Sequence, residues 1–224
     1  KRANAMTSSE LTLYSYWRSS ASYRVRIALN LKRLDCRMEY IHLVRDGGQQ
    51  FGEQYRRLNP QAQLPTLIHG DRVLTQSPAI LEYIDEVWPE PPLLPGDPAG
   101  RARVRALSAV IGCDTHPVNN LRVLKYLTGT LGLDEQQKSA WYRHWVAVGL
   151  DAFEELLASS ELTGLCCHGD QPTLADCYLV PQVYNARRFK CDEGGWPNIV
   201  RICKHLEGLQ EFTDAAPENQ ADAD

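Results

Sequence analysis

The stretch QLPTLIHGDRVLTQSPAI, Gln63 to Ile80, holds a strand, a tight turn, a second strand and a helix start in one short run. LPTLI and RVLT are apolar and β-branched, and His69-Gly70-Asp71 between them is short enough to close an antiparallel hairpin. Ser77 then suits an N-cap and Pro78 the first helical position, with Ile80, Tyr83, Ile84 and Val87 recurring at helical spacing. Two features of the run are unusual. Pro65 stands directly before a strand, where it removes a ladder donor and where a cis bond suits a tight turn. A cis Leu64–Pro65 bond would turn the Leu64 backbone outward, free to pair with an extended ligand. Gln76 and Ser77 sit at a helix start, a place able to hold a carboxylate, although a simple cap uses the same residues.

Working outward toward the N-terminus, Leu11 to Tyr16 reads as a strand and Ala21 to Lys32 as a helix with Val25, Ala28 and Leu29 on one stripe. Arg37 to Leu43 alternates as a second strand, and a polar Gly/Gln stretch leads to a short helix through Leu58. The connection suits a parallel βαβ crossover. The order is therefore βαβ followed by ββα, a small mixed-sheet domain over residues 10–88. If its first helix begins near Ser20, unsatisfied backbone N–H groups and the positive end of the helix dipole point at Arg18, Ser19 and Ser20. That is an anion site, for a phosphate, a carboxylate or a thiolate. Position 21 is Ala, so a thiolate there would have to arrive with a bound cofactor.

Toward the C-terminus, PEPPLLPGDPAG (89–100) is too crowded with proline and glycine for a regular element and reads as a linker. Residues 101–214 are helical throughout, over Ala102 to about Tyr126, Asp134 to Ala158, Thr173 to Arg188 and Pro197 to Phe212. Thr173 and Asp176 form a capping-box pattern with Asp in the Glu position. Pro117 and Pro181 are expected to bend or interrupt their helices. Residues 215–224 are small and acidic and read as a flexible tail.

Composition narrows the function classes. Hydrophobic residues at 43% and charged residues at 23% describe a globular protein, and a formal charge of -4 gives no general attraction to nucleic acid or an anionic membrane. No run is long and apolar enough for a membrane span, and the polar start KRANAMTSSE has no signal-peptide core, so a cytoplasmic protein is expected. Lys1 to Ala5 precede Met6 and carry no functional reading. The seven cysteines are odd in number and lack metal-ligand spacing, which argues against a disulfide framework or a metal site; Cys166-Cys167 reads as buried packing. The runs RVR (Arg24 to Arg26) and RARVR (Arg101 to Arg105) lie on predicted helices and are taken as solvated faces or interdomain pairs.

WRSSASYRVRIALNLK from Trp17, GQQF from Gly48, LNPQAQLPTL from Leu58, DTHPVNNLRVLKYL from Asp114 and TLADCYLVPQVYNARRF from Thr173 closely resemble the zeta class of cytosolic glutathione transferases, over about residues 11 to 214. The class contains maleylacetoacetate isomerase, and bacterial glutathione-dependent maleylpyruvate isomerases are similar along the same segments. The resemblance implies an N-terminal thioredoxin-like βαβββα domain, a C-terminal all-helical domain, a homodimer and glutathione as cofactor. It implies that Ser19 stabilises the glutathione thiolate with Ser20 lining the pocket, and that Gln50, Leu64 before Pro65, Gln76 and Ser77 hold the tripeptide. His116 stands where the class places a polar residue reaching toward glutathione. The motif departs from the class at Ala21, where cysteine is common. The nucleophile belongs to glutathione, so isomerisation is expected to be retained.

The activity implied is cis–trans isomerisation of maleylacetoacetate to fumarylacetoacetate in tyrosine and phenylalanine breakdown, by thiolate addition, bond rotation and elimination. Arginine forks suit the substrate carboxylates, and the candidates are Arg18 (also beside the thiolate), Arg188 and Arg122. The alternatives are maleylpyruvate isomerisation in gentisate breakdown, general conjugation to glutathione, and a non-catalytic interaction role for the same fold. Retention of Ser19, Ser20, Gln76 and Ser77 speaks against the last.

Overall fold

The computed structural model of the chain describes residues 11–223, so Lys1 to Ala5, the first residue of the 10–88 domain and Asp224 lie outside the described residues. Strand β1 (Leu11–Ser15) pairs in parallel with β2 (Arg37–Tyr40) and antiparallel with β3 (Thr66–His69), which pairs with β4 (Arg72–Thr75). The sheet order is β2-β1-β3-β4. Alternation along β1 assigns the faces. Leu11 and Leu13 pack with Val25 and Leu29 of α1 (Ser20–Leu31) and Ile80 and Ile84 of α3 (Ser77–Val87). Tyr14, on the opposite face, joins a cluster with Tyr16, Tyr55 and Leu58, the last two from α2 (Glu53–Leu58). The hairpin and helix of Gln63 to Ile80 form as the sequence predicts, and the Leu64–Pro65 bond is cis.

Strand β2 ends at Tyr40 rather than Leu43. Its one neighbouring strand among the described residues, β1, stops at Ser15, whose carbonyl accepts one more bond from the Ile41 amide at 2.9 Å. The proline-rich segment is also shorter than expected, because α4 (Pro98–Ala109) starts inside it. Asp97 caps this helix by accepting from the Gly100 amide at 2.8 Å, and Pro98 occupies a position where its missing N–H costs nothing.

The single helix expected from Ala102 to Tyr126 is three. After α4 the chain makes a π-helical segment (Val110–Thr115), one turn α5 (His116–Val118) containing Pro117, and then α6 (Leu121–Gly129), capped by Asn120. Thr115 Oγ1 donates to the Val110 carbonyl at 2.8 Å, and a Cβ at Gly149 would lie only 2.0 Å from that hydroxyl oxygen. Only glycine lets α7 (Glu135–Ala158) approach the π segment so closely. Helix α8 (Leu174–Arg188) continues through Pro181 without the interruption that was one of the two expected outcomes. The lost donor costs roughly 3 kcal/mol in an isolated helix; here burial of Leu174 to Val183 in the core offsets it.

The last predicted helix divides into α9 (Pro197–Leu206) and α10 (Gln210–Ala215), and the division matters. Residues Pro92–Leu209 form one compact unit, whereas α10 and the residues after it group with 11–91 in the other. Asn30 of α1 donates to the Glu211 carbonyl at 2.8 Å and Arg26 to the Ala215 carbonyl at 3.0 Å. The expected boundary at 214 and the free tail beyond it are thus corrected. A 3-10 turn (Pro217–Asn219) follows α10, and Asp222 accepts from the Trp17 amide. The acidic composition suggested solvation; the carboxylate instead meets a half-buried donor of the first unit.

Within the helical unit Asp176 is fully buried and accepts from the Thr173 amide (2.7 Å), the Thr173 hydroxyl (2.8 Å) and the Cys167 amide (2.9 Å). Asp176→Ala is expected to lower the unfolding free energy by about 2–4 kcal/mol, combining a lost cap with stranded buried donors. Urea denaturation checks this, and a loss below about 0.5 kcal/mol, the range of an ordinary surface change, would remove Asp176 from the core's supports.

Candidate functional site

The ladder register brings four loops to one end of the sheet. Ser15 pairs with Tyr40, Tyr14 with Thr66, and Thr66 with Thr75. The segments after β1, β2 and β4 and the one before β3 therefore leave from the same edge. These segments carry Arg18, Ser19 and Ser20; Gln50; Leu64 and Pro65; and Gln76 and Ser77.

Ser19 is the N-cap of α1, its Oγ accepting from the Ser22 amide at 3.2 Å. The bond uses an oxygen lone pair and leaves the hydroxyl proton available to donate. No acidic residue lies in the first turn to offset the positive end of the helix. Ser20 is buried beside it, and Arg18 is exposed with its guanidinium 5.0 Å from the Trp17 ring centroid. Ala21, half-buried in the first turn, adds only a methyl group.

Gln50 is 4% exposed, and its Nε2 donates to the Leu43 carbonyl at 3.4 Å, while its Oε1 is buried with no partner among the described residues. Gly48 permits this fold-back: its φ is 110°, and a Cβ there would sit 2.7 Å from Gln50 Nε2. Before Pro65, the Gln63 carbonyl accepts from the Tyr55 hydroxyl (2.6 Å) and Asn59 Nδ2 (2.8 Å), which fixes the turn that presents Leu64. Burial pushes the Tyr55 phenol up to about 12, keeping it a donor.

Gln76 has φ 69° and ψ 115°, a conformation that L residues rarely adopt and that costs on the order of 1–3 kcal/mol. Such strain concentrates at ligand sites. Its Nε2 donates to Gln61 Oε1, and α3 begins after it with no side-chain cap on its N–H groups. Ser77 Oγ accepts from Arg24 Nη1 at 3.3 Å, again freeing a hydroxyl proton.

Two residues of this constellation were not legible beforehand. Arg24 and Arg26, read as solvated or interdomain, are 2% and 4% exposed inside the first unit. Arg26 donates to Ser15 Oγ (3.2 Å) and to the Tyr16 (3.4 Å) and Trp17 (3.0 Å) carbonyls. Burial lowers its pKa to about 10, so it stays charged at neutral pH. Arg103 of the second basic run also binds within its own unit, donating to the Cys167 carbonyl at 2.7 Å and Thr163 Oγ1 at 2.8 Å. The alternation of Arg with Val gave no sign of this; only the helix's three-dimensional neighbours do.

His116, Arg122 and Arg188 belong to the helical unit, on three different elements. His116 is half-buried in α5 and Arg122 exposed in the first turn of α6. Arg188, in the last turn of α8, lies 4.9 Å from the Phe189 ring centroid, and Phe189 stacks on Tyr142 at 3.6 Å. Burial raises the Tyr142 phenol to about 12, opposed by Arg188, which hydrogen-bonds it. All seven cysteines are free thiols and only Cys113 is exposed; burial pushes Cys36 and Cys166 up to about 12 and Cys167 upward too. These three are poor nucleophiles.

Residues 9–86 match the family described as glutathione S-transferase, N-terminal domain. The chain is 49% identical to a probable maleylacetoacetate isomerase of Vibrio cholerae serotype O1, over 95% of this chain and 98% of that one. It superposes with a TM-score of 0.92 on a holo maleylpyruvate isomerase described as a bacterial zeta-class glutathione S-transferase, 47% identical over 95% of this chain and all (100%) of that one. A maleylacetoacetate isomerase from Anaeromyxobacter dehalogenans, solved with GSH in its active site, gives a TM-score of 0.85 at 43% identity, covering 96% of this chain and 98% of that one. The chain belongs to the zeta class of the glutathione S-transferase family.

Proposed function

We propose that this protein catalyses the glutathione-dependent cis–trans isomerisation of maleylacetoacetate to fumarylacetoacetate, in the cytoplasm and as a homodimer. The observation that carries the reading is the convergence of the Ser19 cap, the Gln50 Oε1 unpartnered among the described residues, the strained Gln76 and the start of α3 without a side-chain cap at one sheet end. Each is a donor or acceptor without a full set of protein partners, and together they fit an extended, charged peptide. Similarity to isomerases of this substrate, one of them solved with GSH, supports the choice.

Bound glutathione supplies a thiolate that adds reversibly to the cis double bond, leaving a single bond about which the substrate rotates before the sulfur departs. Ser19 donates its hydroxyl proton to the sulfur, and the positive end of α1 adds to the lowering of the thiol pKa from about 8.5. Ser20 lines the same pocket. Gln50 and the Leu64 backbone beside Pro65 hold the peptide, while Gln76, Ser77 and the α3 amides hold a carboxylate. Arg18 stands next to the thiolate position, suited to a substrate carboxylate and to the charge that develops on the substrate during addition. In the helical unit Arg188 and Arg122 are the proposed carboxylate ligands and His116 a proposed glutathione contact. Class membership is what supports the compartment, the dimer and these last three roles.

Maleylpyruvate is the second reading, favoured by the 47% identity to the holo maleylpyruvate isomerase. Following both acids by ultraviolet absorbance, with and without glutathione, separates them. We expect glutathione-dependent loss of maleylacetoacetate at least about tenfold faster, a difference of about 1.4 kcal/mol in transition-state stabilisation. The reverse preference transfers the assignment, and no turnover of either acid removes it.

Ser19→Ala is expected to lower kcat roughly 10- to 100-fold through loss of a charge-assisted hydrogen bond. Glutathione affinity measured by calorimetry should change little; an equal loss of affinity would make Ser19 a binding residue. Arg188→Ala should raise the substrate KM by roughly tenfold, the value of one charged hydrogen bond, and an unchanged KM removes it from the carboxylate site.

A further inference from the structure

The peptide unit at Trp17 is gripped from both sides by residues far away in sequence. Its N–H donates to Asp222 Oδ2 at 2.9 Å, and its carbonyl accepts from Arg26 Nη2 at 3.0 Å. Arg26 Nη1 also reaches the Tyr16 carbonyl at 3.4 Å, the same oxygen that accepts from the Ser19 amide at 3.0 Å. An unbroken chain of hydrogen bonds therefore runs from Asp222 through Trp17, Arg26 and Tyr16 to the backbone of Ser19. The segment that delivers Asp222 is itself tied down. Arg26 Nε donates to the Ala215 carbonyl, Asn30 to the Glu211 carbonyl, and Gln220 Nε2 to the Asp214 (2.8 Å) and Ala216 (2.9 Å) carbonyls.

We infer that the C-terminal segment acts as a strap that sets the orientation of Ser19, with Asp222 as a positioning residue for the thiolate-stabilising hydroxyl. Three observations carry this. Arg26 is buried and bonds both the strap and the Tyr16–Trp17 carbonyls, so strap and loop share one rigid cation. Asp222 Oδ1 is buried without a partner among the described residues, so the carboxylate's hold rests on the Trp17 amide and on the nearby charge of Arg26. At the end of the neighbouring β2, burial and the Asp222 charge raise the Tyr40 phenol pKa and the Arg26 charge lowers it. An oxygen that accepts one backbone N–H there fixes where the next two residues point, and those are Arg18 and Ser19.

The inference rests on the glutathione reading of Ser19, and its test separates the two. Hydrogen–deuterium exchange is followed in the ligand-free protein over the segment from Tyr16 to Ser20. Asp222→Ala should speed exchange there about tenfold, as loss of one half-buried hydrogen bond to a carboxylate does, with far-ultraviolet circular dichroism unchanged. A chain ending at Gln220 removes the acceptor without any substitution and should behave alike. With glutathione added, the ultraviolet titration of its thiol should move to higher pH in Asp222→Ala, kcat should fall and the glutathione KM should hardly change. Asp222→Asn keeps an acceptor oxygen and should restore most of both effects, whereas Glu218→Ala, an exposed change on the same strap, should match the wild type. Wild-type exchange and thiol titration in Asp222→Ala overturn the strap, as does an Asn variant as impaired as Ala. A wild-type protein that leaves the glutathione thiol unshifted sinks the glutathione reading instead, and the ligand-free exchange still decides whether the strap holds the loop.

Discussion

Placing a guanidinium in a protein interior costs several kcal/mol unless its N–H groups are answered by oxygen. Arg26 sits there with all three nitrogens engaged, by the Ala215, Tyr16 and Trp17 carbonyls and the Ser15 hydroxyl. The acceptors come from the end of β1, the loop after it and the end of α10. That loop cannot relax without stranding donors in the core, so it stays where the register of β1 leaves it. Ser19, two residues beyond Trp17, inherits this fixity, as does the start of α1 behind it. The polar end of the sheet is thus organised from beneath by a buried cation.

The site shows a repeated device. At Ser19 and at Ser77 a serine hydroxyl accepts from the protein and keeps its proton for something else. At Gln50 and Gln76 a side-chain amide is positioned by backbone that only special geometry allows: Gly48 at positive φ for the first, a positive φ on the glutamine itself for the second. The loops therefore present preset donors and acceptors rather than adaptable ones, which suits a peptide cofactor that must return to the same pose in every turnover.

How far the sequence revealed this depended on range. Hairpin turn, capping residues and apolar stripes are local, and the run from Gln63 to Ile80 and the Thr173–Asp176 cap were readable as they stand. The resemblance placed Ser19, Gln50 and Gln76 on loops that the strand register gathers at one end. What stayed hidden is long-range. Charge in a helix reads as solvent-facing, yet Arg24 and Arg26 find acceptors in other elements. Composition reads 215–224 as tail, because nothing local reports an amide at Trp17 awaiting a carboxylate. Proline rules overstated the disruption at both Pro98 and Pro181, for different reasons: one sits where no donor is needed, the other where surrounding packing outweighs the defect.

The return of α10 to the first unit has a temporal side. Arg26 and Ala215 are separated by 189 positions, so on a ribosome adding about 5–20 residues per second the guanidinium emerges roughly 10–40 s before its last acceptor is made. Throughout that interval the nascent thioredoxin-like half carries a guanidinium whose Nε has no acceptor, although Ser15, Tyr16 and Trp17 are already made, while the helical unit is still being synthesised. Vectorial synthesis therefore completes the half that is made first only at the end, and the nascent chain gains a finished serine pocket at about the moment its other half is finished too.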